Sequence, residues 1–252
     1  MPAPAATIAA LERAALAGWP APIQRPAPGG WLLRATPGLD RGRSNHALTP
    51  GHELDPADID PALKRVHEFA VEHGITTGVQ VSPLHRHDRL MAALDARSWT
   101  RQWPTLVLTG PLVISAPAPA PGLGLVIADH ADETWLLTWD RCEPGRDVAG
   151  HAATVFRLLR GRAAFVRLGT SAVGIGVPAG EWLGMFCLAV DPGRRRAGLG
   201  TALAEALSRA AAGQVRRAYL QVEESNFAAR ALYERLGFSE AYRYCHRVAA
   251  AR

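Results

Sequence analysis

The chain has 252 residues, 48% of them hydrophobic, and a formal charge of +5 at neutral pH, enough apolar mass for one large or two modest domains. Arginine carries nearly all the positive charge, Lys64 being the only lysine, and there is no basic module interleaved with aromatics. The sequence pI of about 9.6 therefore indicates attraction of anionic ligands and not a nucleic-acid partner. Cys142, Cys187 and Cys245 are odd in number, widely spaced and outside any Cys-x-x-Cys arrangement, which argues against a disulfide framework and for a reducing, cytoplasmic setting.

In chain order, the patterns predict a helix over 7–17, strands at 31–34 and 45–48, a helix over 61–72, a strand at 78–81, a helix over 88–96 and a strand at 103–108. Residues 102–128 carry no charge, but Pro104, Pro111, Pro117, Pro119 and Pro121 break any spanning helix, so no membrane association is expected. The Ala-Pro run over 116–122 reads as a stiff connection and divides the chain into 1–117 and 118–252. Beyond it, strands are expected at 123–127 and 135–137, a helix over 147–159, and strands at 163–168 and 173–177. No basic-then-apolar leader stands at the N-terminus.

The most informative segment follows. Residues 182–190 are uncharged and bounded by turn formers, as in a buried strand, and Leu199, Ala202, Leu203, Ala206, Leu207 and Ala210 then recur at helical spacing. Between them lies a Gly- and Arg-rich loop. The N–H groups at a helix start lack intrahelical partners and carry the positive end of its dipole, so they suit a phosphate; Gly198 and Gly200 would let it approach, and Arg194, Arg195 and Arg196 add charge. The spacing fits neither the Walker loop nor the three-glycine dinucleotide fingerprint. Arg195-x-x-Gly198-x-Gly200, preceded by Val190-x-Pro192, instead resembles the acetyl-CoA-binding motif of the GNAT superfamily of N-acetyltransferases. A second segment, from Leu220 through Asn226 to Leu232-Tyr233-Glu234-Arg235-Leu236-Gly237-Phe238, is similar to that family's following strand, Asn-led helix and terminal motif. Ser225 or Asn226 can cap this helix, and Gly237 stands where a left-handed residue closes one. Its apolar face is expected from Ala228, Ala229, Leu232, Tyr233 and Leu236.

The resemblance implies an α/β fold with a mixed, largely antiparallel central sheet flanked by helices. It also implies acetyl-CoA as donor, an amine as acceptor, and no metal. The strand over 186–190 is expected to splay from its neighbour and to offer backbone groups of Leu188, Ala189 and Val190 to the pantetheine arm. The pyrophosphate falls to Arg195, Arg196, Ala197, Gly198, Leu199, Gly200 and Thr201, and Asn226 stands at a cofactor-contacting position. Tyr233 corresponds to a general acid beside the CoA sulfur, a role that suits a phenol of pKa about 10. The strand N–H groups near Leu188 suit a developing oxyanion. An acceptor amine must lose a proton before attack, to a carboxylate or a water chain. Where some relatives carry a catalytic Glu, twelve residues before Tyr233, this chain has Gln221. Glu223 is the first candidate base, with Glu224 and Glu181 as the others.

The first half faintly repeats the second: 78–81 can be set beside 219–222, and 93–99 beside 232–238, with Leu94 where Tyr233 would be. This makes 1–117 a degenerate GNAT-like lobe without a cofactor loop and 118–252 the catalytic domain. His67, His73, His85 and His87 have no carboxylate or Cys at ligand spacing and read as solvated loop residues. The seven tryptophans read as core or lobe contacts, with Trp182 a candidate border of the acceptor site. A small-molecule amine is the preferred acceptor, attacking the thioester directly in a monomer or homodimer. A non-catalytic acyl-CoA sensor that kept the cradle but lost its base is the rival reading.

Overall fold

The computed structural model describes residues 3–81, 83–85, 87–114 and 124–250; the expected boundary at 117/118 and the connection over 116–122 lie outside them. The first half runs α1 (Ala5–Gly18), β1 (Ile23–Ala27), β2 (Trp31–Ala35), α2 (Gly42–Asn45), β3 (Ala47–Leu48), α3 (Pro56–Glu72), β4 (Gly78–Gln80), α4 (Asp88–Ala96) and β5 (Thr100–Pro111). The second runs β6 (Leu125–Ala128), α5 (Glu133–Cys142), α6 (Val148–His151), α7 (Arg157–Leu159), β7 (Ala164–Leu168), β8 (Ala172–Ala179), β9 (Trp182–Val190), α8 (Leu199–Ala210), β10 (Arg217–Glu223), α9 (Phe227–Arg235) and β11 (Ser239–Val248). A π-helical turn, Ala152–Phe156, joins α6 to α7.

The strands form one sheet of eleven in the order β1-β2-β3-β4-β11-β5-β10-β9-β8-β7-β6. Of these described strands only β3·β4 and β9·β10 pair in parallel, so the sheet is mixed and largely antiparallel as expected. Alternation along the strands sends side chains to two faces. On one face Val107, Trp182, Phe186 and Tyr219 pack with α1, α5 and the aromatic group of Trp19, Trp135, Trp139 and Phe156. On the other, Leu183, Met185, Leu220 and Val222 pack with α8, Tyr233 and Phe238. Among the described residues no helix is long and apolar enough to cross a membrane.

Three local expectations are corrected. Residues expected as a strand at 135–137 lie in α5: Asp132 Oδ1 accepts from the Trp135 N–H at 2.7 Å, and Trp135, Trp139 and Cys142 share a buried face at helical spacing. The helix expected from 61 begins at Pro56, with Asp55 as its cap and Pro61 inside it. Strands β1 and β11 stand where the sequence patterns predict no element.

The two halves share several features of strand pairing. In each half an antiparallel pair precedes a parallel one, β2·β3 then β3·β4, and β8·β9 then β9·β10. Each half then runs strand, helix, strand, and the last strands exchange, β5 pairing with β10 and β11 with β4. The helix ends match as well. Phe238 N donates to Tyr233 O at 2.9 Å around Gly237 at φ +83°, and Trp99 N donates to Leu94 O at 3.0 Å around Ser98 at φ +57°. The halves differ in strand length: β3 has two residues against nine in β9.

Candidate active site

The site begins where two strands part. Parallel pairing of β10 with β9 runs only from Arg217↔Trp182 to Leu220↔Met185, while β10 stays paired with β5 to Glu223↔Thr105. From Phe186 to Val190, the edge of β9 that faces β10 is therefore unpaired. On the other edge, register shifts from Val173↔Ala189 to Ile175↔Phe186, so that Cys187 and Leu188 bulge against Gly174. Cys187 holds φ +51°, a left-handed conformation uncommon for a side-chain-bearing residue. On the β10 edge, N–H and C=O groups without ladder partners invite a ligand's amides.

The gap opens into a cavity of 430 Å³ that brings together Leu188, Ala189, Gln221, Glu223, Asn226 and Tyr233. Asn226 caps α9, its Oδ1 accepting from the Ala229 N–H at 3.1 Å. Tyr233 is 7% exposed, its ring against Phe238 with centroids 5.9 Å apart, and burial holds its phenol above the ordinary value. Within α9 only Tyr233 is buried, and Ala228, expected on the apolar face, is exposed.

Val190 and the loop from Arg195 to Thr201 lie outside the cavity lining, beyond the far end of β9. Asp191 Oδ1 accepts from the Gly193 N–H at 2.8 Å and starts the turn, and Arg194 to Gly198 are exposed. The two glycines sit in different surroundings. Gly198 sits at φ +78° just before α8, a conformation glycine adopts without strain. A Cβ on Gly200 would stand 2.8 Å from Leu232 Cδ2, so a side chain here would require the Leu232 end to shift.

The three candidate carboxylates separate. Glu181 precedes β9, outside the cavity lining, and Glu224 is paired with Arg243 at 3.0 Å. Glu223 lines the cavity and is exposed. Gln221 is engaged, its Oε1 accepting from the Tyr244 hydroxyl at 3.1 Å. Trp182 is buried in the α1 face and does not line the cavity.

Sequence reasoning missed the remaining wall. Arg41 at the start of α2 and Arg43 within it form part of this wall, and exchange of β11 into the first half brings Tyr244 and His246 beside Trp103. No periodicity marks 40–43, and only strand pairing reveals the others. His46 Nδ1 and His246 Nδ1 lie 2.9 Å apart, so one ring carries hydrogen there and the other a lone pair. Burial and Arg34 push His46 down to about 4, and burial and His46 push His246 down to about 2. Both folded values lie below the ordinary histidine value, so the unfolded chain takes up these protons first. Stability present above a pH of about 6.5 is then lost as pH falls toward about 4. Thermal melts across that window should show a falling midpoint, with a shallower slope in His246→Gln; equal slopes would count against the pair. His87, expected as solvated, is fully buried, whereas His67 and His85 are exposed.

The family described as "Probable histone acetyltransferase Rv0428c C-terminal" matches residues 5–247. The chain belongs to this family of GNAT acetyltransferases. Its fold is that of a GCN5-related N-acetyltransferase from Kribbella flavida, at 17% identity and TM-score 0.70 over 100% of this chain and 97% of that one. A tandem GNAT protein from the clavulanic acid biosynthesis pathway is similar at 15% identity and TM-score 0.61, over 93% of this chain and 86% of the other. A conserved protein of unknown function from Staphylococcus epidermidis aligns at 11% identity and TM-score 0.61, over 90% and 93%. No curated protein matches the sequence. GNAT membership makes the chain an acyltransferase by family, and the gap between β9 and β10 is its candidate active site. Among the described residues no group of His, Cys, Asp and Glu could hold a metal ion.

Proposed function

We propose that this GNAT protein moves an acetyl group from acetyl-CoA to the primary amine of a small molecule by direct attack. The observation that carries the reading is the unpaired β10-facing edge of β9, which runs from the cavity toward the Gly198 loop. It fits an extended arm ending in a diphosphate: amides of Leu188, Ala189 and Val190 would hold the arm, Arg195 to Thr201 the diphosphate, and Asn226 would add a contact. When bound, acetyl-CoA supplies the thioester that the amine attacks.

The chain's own groups divide the proton work between the sheet's faces. Strand alternation puts Glu223 on the face of Tyr219, while Tyr233 belongs to the face of α8. Glu223 takes the amine proton on one side of the gap, directly or through water. Tyr233 gives its proton to the departing sulfur on the other. The N–H groups at the bulge stabilise the carbonyl oxygen as charge builds on it. Burial pushes the Cys187 thiol up to about 11, which leaves it a poor nucleophile and favours direct attack over acetylation of the enzyme. In this reading the second half, 118–252, holds the donor and the first half, 1–117, is a degenerate lobe that shapes the acceptor side. Cytoplasmic residence agrees with the free cysteines. The family's description names histones, but the small-molecule reading rests on Arg41 and Arg43, which line the cavity without an ion-pair partner among the described residues.

Calorimetric titration with acetyl-CoA, with desulfo- and dephospho-CoA as controls, tests the reading, followed by a thiol-release assay over an amine panel. Saturable micromolar binding with turnover is the expected result. Binding without turnover would make the chain an acyl-CoA sensor, and absence of binding would overturn the cofactor assignment.

A further inference from the structure

We infer that the acceptor amine carries a carboxylate and that Arg41 and Arg43 hold it; this rests on the acetyl-transfer reading above. Both guanidinium groups line the cavity and both are half-buried. Among the described residues neither has a carboxylate within ion-pair distance, whereas Arg146 of the same wall is paired with Glu143 at 3.2 Å. Arg41 lies over the Trp19 ring at 5.8 Å, and Arg43 lies over Trp19 at 5.9 Å and Phe186 at 6.0 Å. Cation–π attraction of this kind holds a guanidinium near a ring without using up its N–H donors. Two like charges this close to each other and to burial are unfavourable alone, and burial with Arg43 draws Arg41 down to about 10. A ligand anion relieves both penalties, and a planar carboxylate matches the guanidinium fork.

The arginines do not serve the donor's phosphates. Trp19 and Phe186 belong to the α1 face of the sheet, and the Gly198 loop leads into α8 on the opposite face. Arg41 and Arg43 stand instead beside Cys187 at the bulge, on the face assigned to Glu223. An amino acid-like acceptor can thus seat its carboxylate on the guanidinium pair and aim its amine at the gap. The new bond joins the amine nitrogen to the acetyl carbon, and the bond to sulfur breaks. The amine proton leaves toward Glu223 or water, Tyr233 protonates the sulfur, and the carboxylate is unchanged.

The test uses acceptors that differ by this group alone, lysine against cadaverine and phenylalanine against phenethylamine. The wild-type enzyme should favour the carboxylated member in kcat/KM by about 10-fold to 100-fold, the worth of one charge-assisted hydrogen bond. Arg41→Gln and Arg43→Gln should erase that preference by raising KM for the carboxylated member, with acetyl-CoA affinity retained. Arg41→Lys, which keeps the charge and loses the fork, should fall between. Equal or better use of the bare amines, or a preference that survives both Gln variants, would overturn the inference. Titration of free and CoA-saturated protein with glutarate reads the anion site apart from turnover. Glutarate binding that weakens in Arg41→Gln supports the site even if acetyl-CoA fails to bind, and absence of glutarate binding overturns it.

Discussion

Tyr233→Phe is expected to slow turnover by about 10²-fold to 10⁴-fold, the range of general acid catalysis, with acetyl-CoA affinity and thermal midpoint close to wild type. The phenol ring is packed against Phe238 and 7% exposed, and phenylalanine keeps that packing. What is lost is one O–H at the cavity wall. Burial raises the Tyr233 pKa above its ordinary value of 10, so the phenol holds its proton through neutral pH and the rate should show no alkaline loss from this group below a pH of about 10. Single-turnover rates beside calorimetric affinities separate chemistry from binding. An unchanged rate would make Tyr233 an aromatic that only closes α9 against the sheet.

Arg195→Ala combined with Gly198→Ala should weaken acetyl-CoA binding by about 10-fold to 100-fold, from the loss of one phosphate contact together with strain at a left-handed residue. Gly198 holds φ +78°, and nothing lies within 4 Å of the point where a Cβ would stand, so the added methyl meets no neighbour and acts through backbone conformation. The binding loss should grow with dilution of salt, because Arg195 is exposed and its attraction is screened. An unchanged affinity would remove the diphosphate from this loop. Gly200→Ala provides the contrast: its Cβ presses on Leu232, so it should disturb the packing of α8 on α9.

Local chemistry is legible where one segment carries its own reason. The apolar run of β9, the loop beneath α8 and the Asn226 cap each follow from adjacent residues, and so does the matching closure of α4 and α9 around Ser98 and Gly237. The Trp135 segment misleads because three residues of an apolar stretch do not separate a period of 2 from one of 3.6; only the Asp132 cap and the later Trp139 and Cys142 decide it. β11 escapes because its alternation is interrupted by bulges at two places against β5.

In the proposed reading, the segments assigned to the donor are legible in the sequence by itself, because a Gly-rich loop and a strand edge are built from contiguous backbone and need only the right glycines, caps and apolar period. In the same reading, only the tertiary structure brings the acceptor side together around Glu223, the first base candidate of the sequence. Arg41 and Arg43 from the start of α2, Glu223 from the end of β10, and Tyr244 and His246 from the exchanged strand meet only because β11 enters between β4 and β5. Their juxtaposition depends on strand order, which loop closure and sheet pairing set across some two hundred residues and which no local period records.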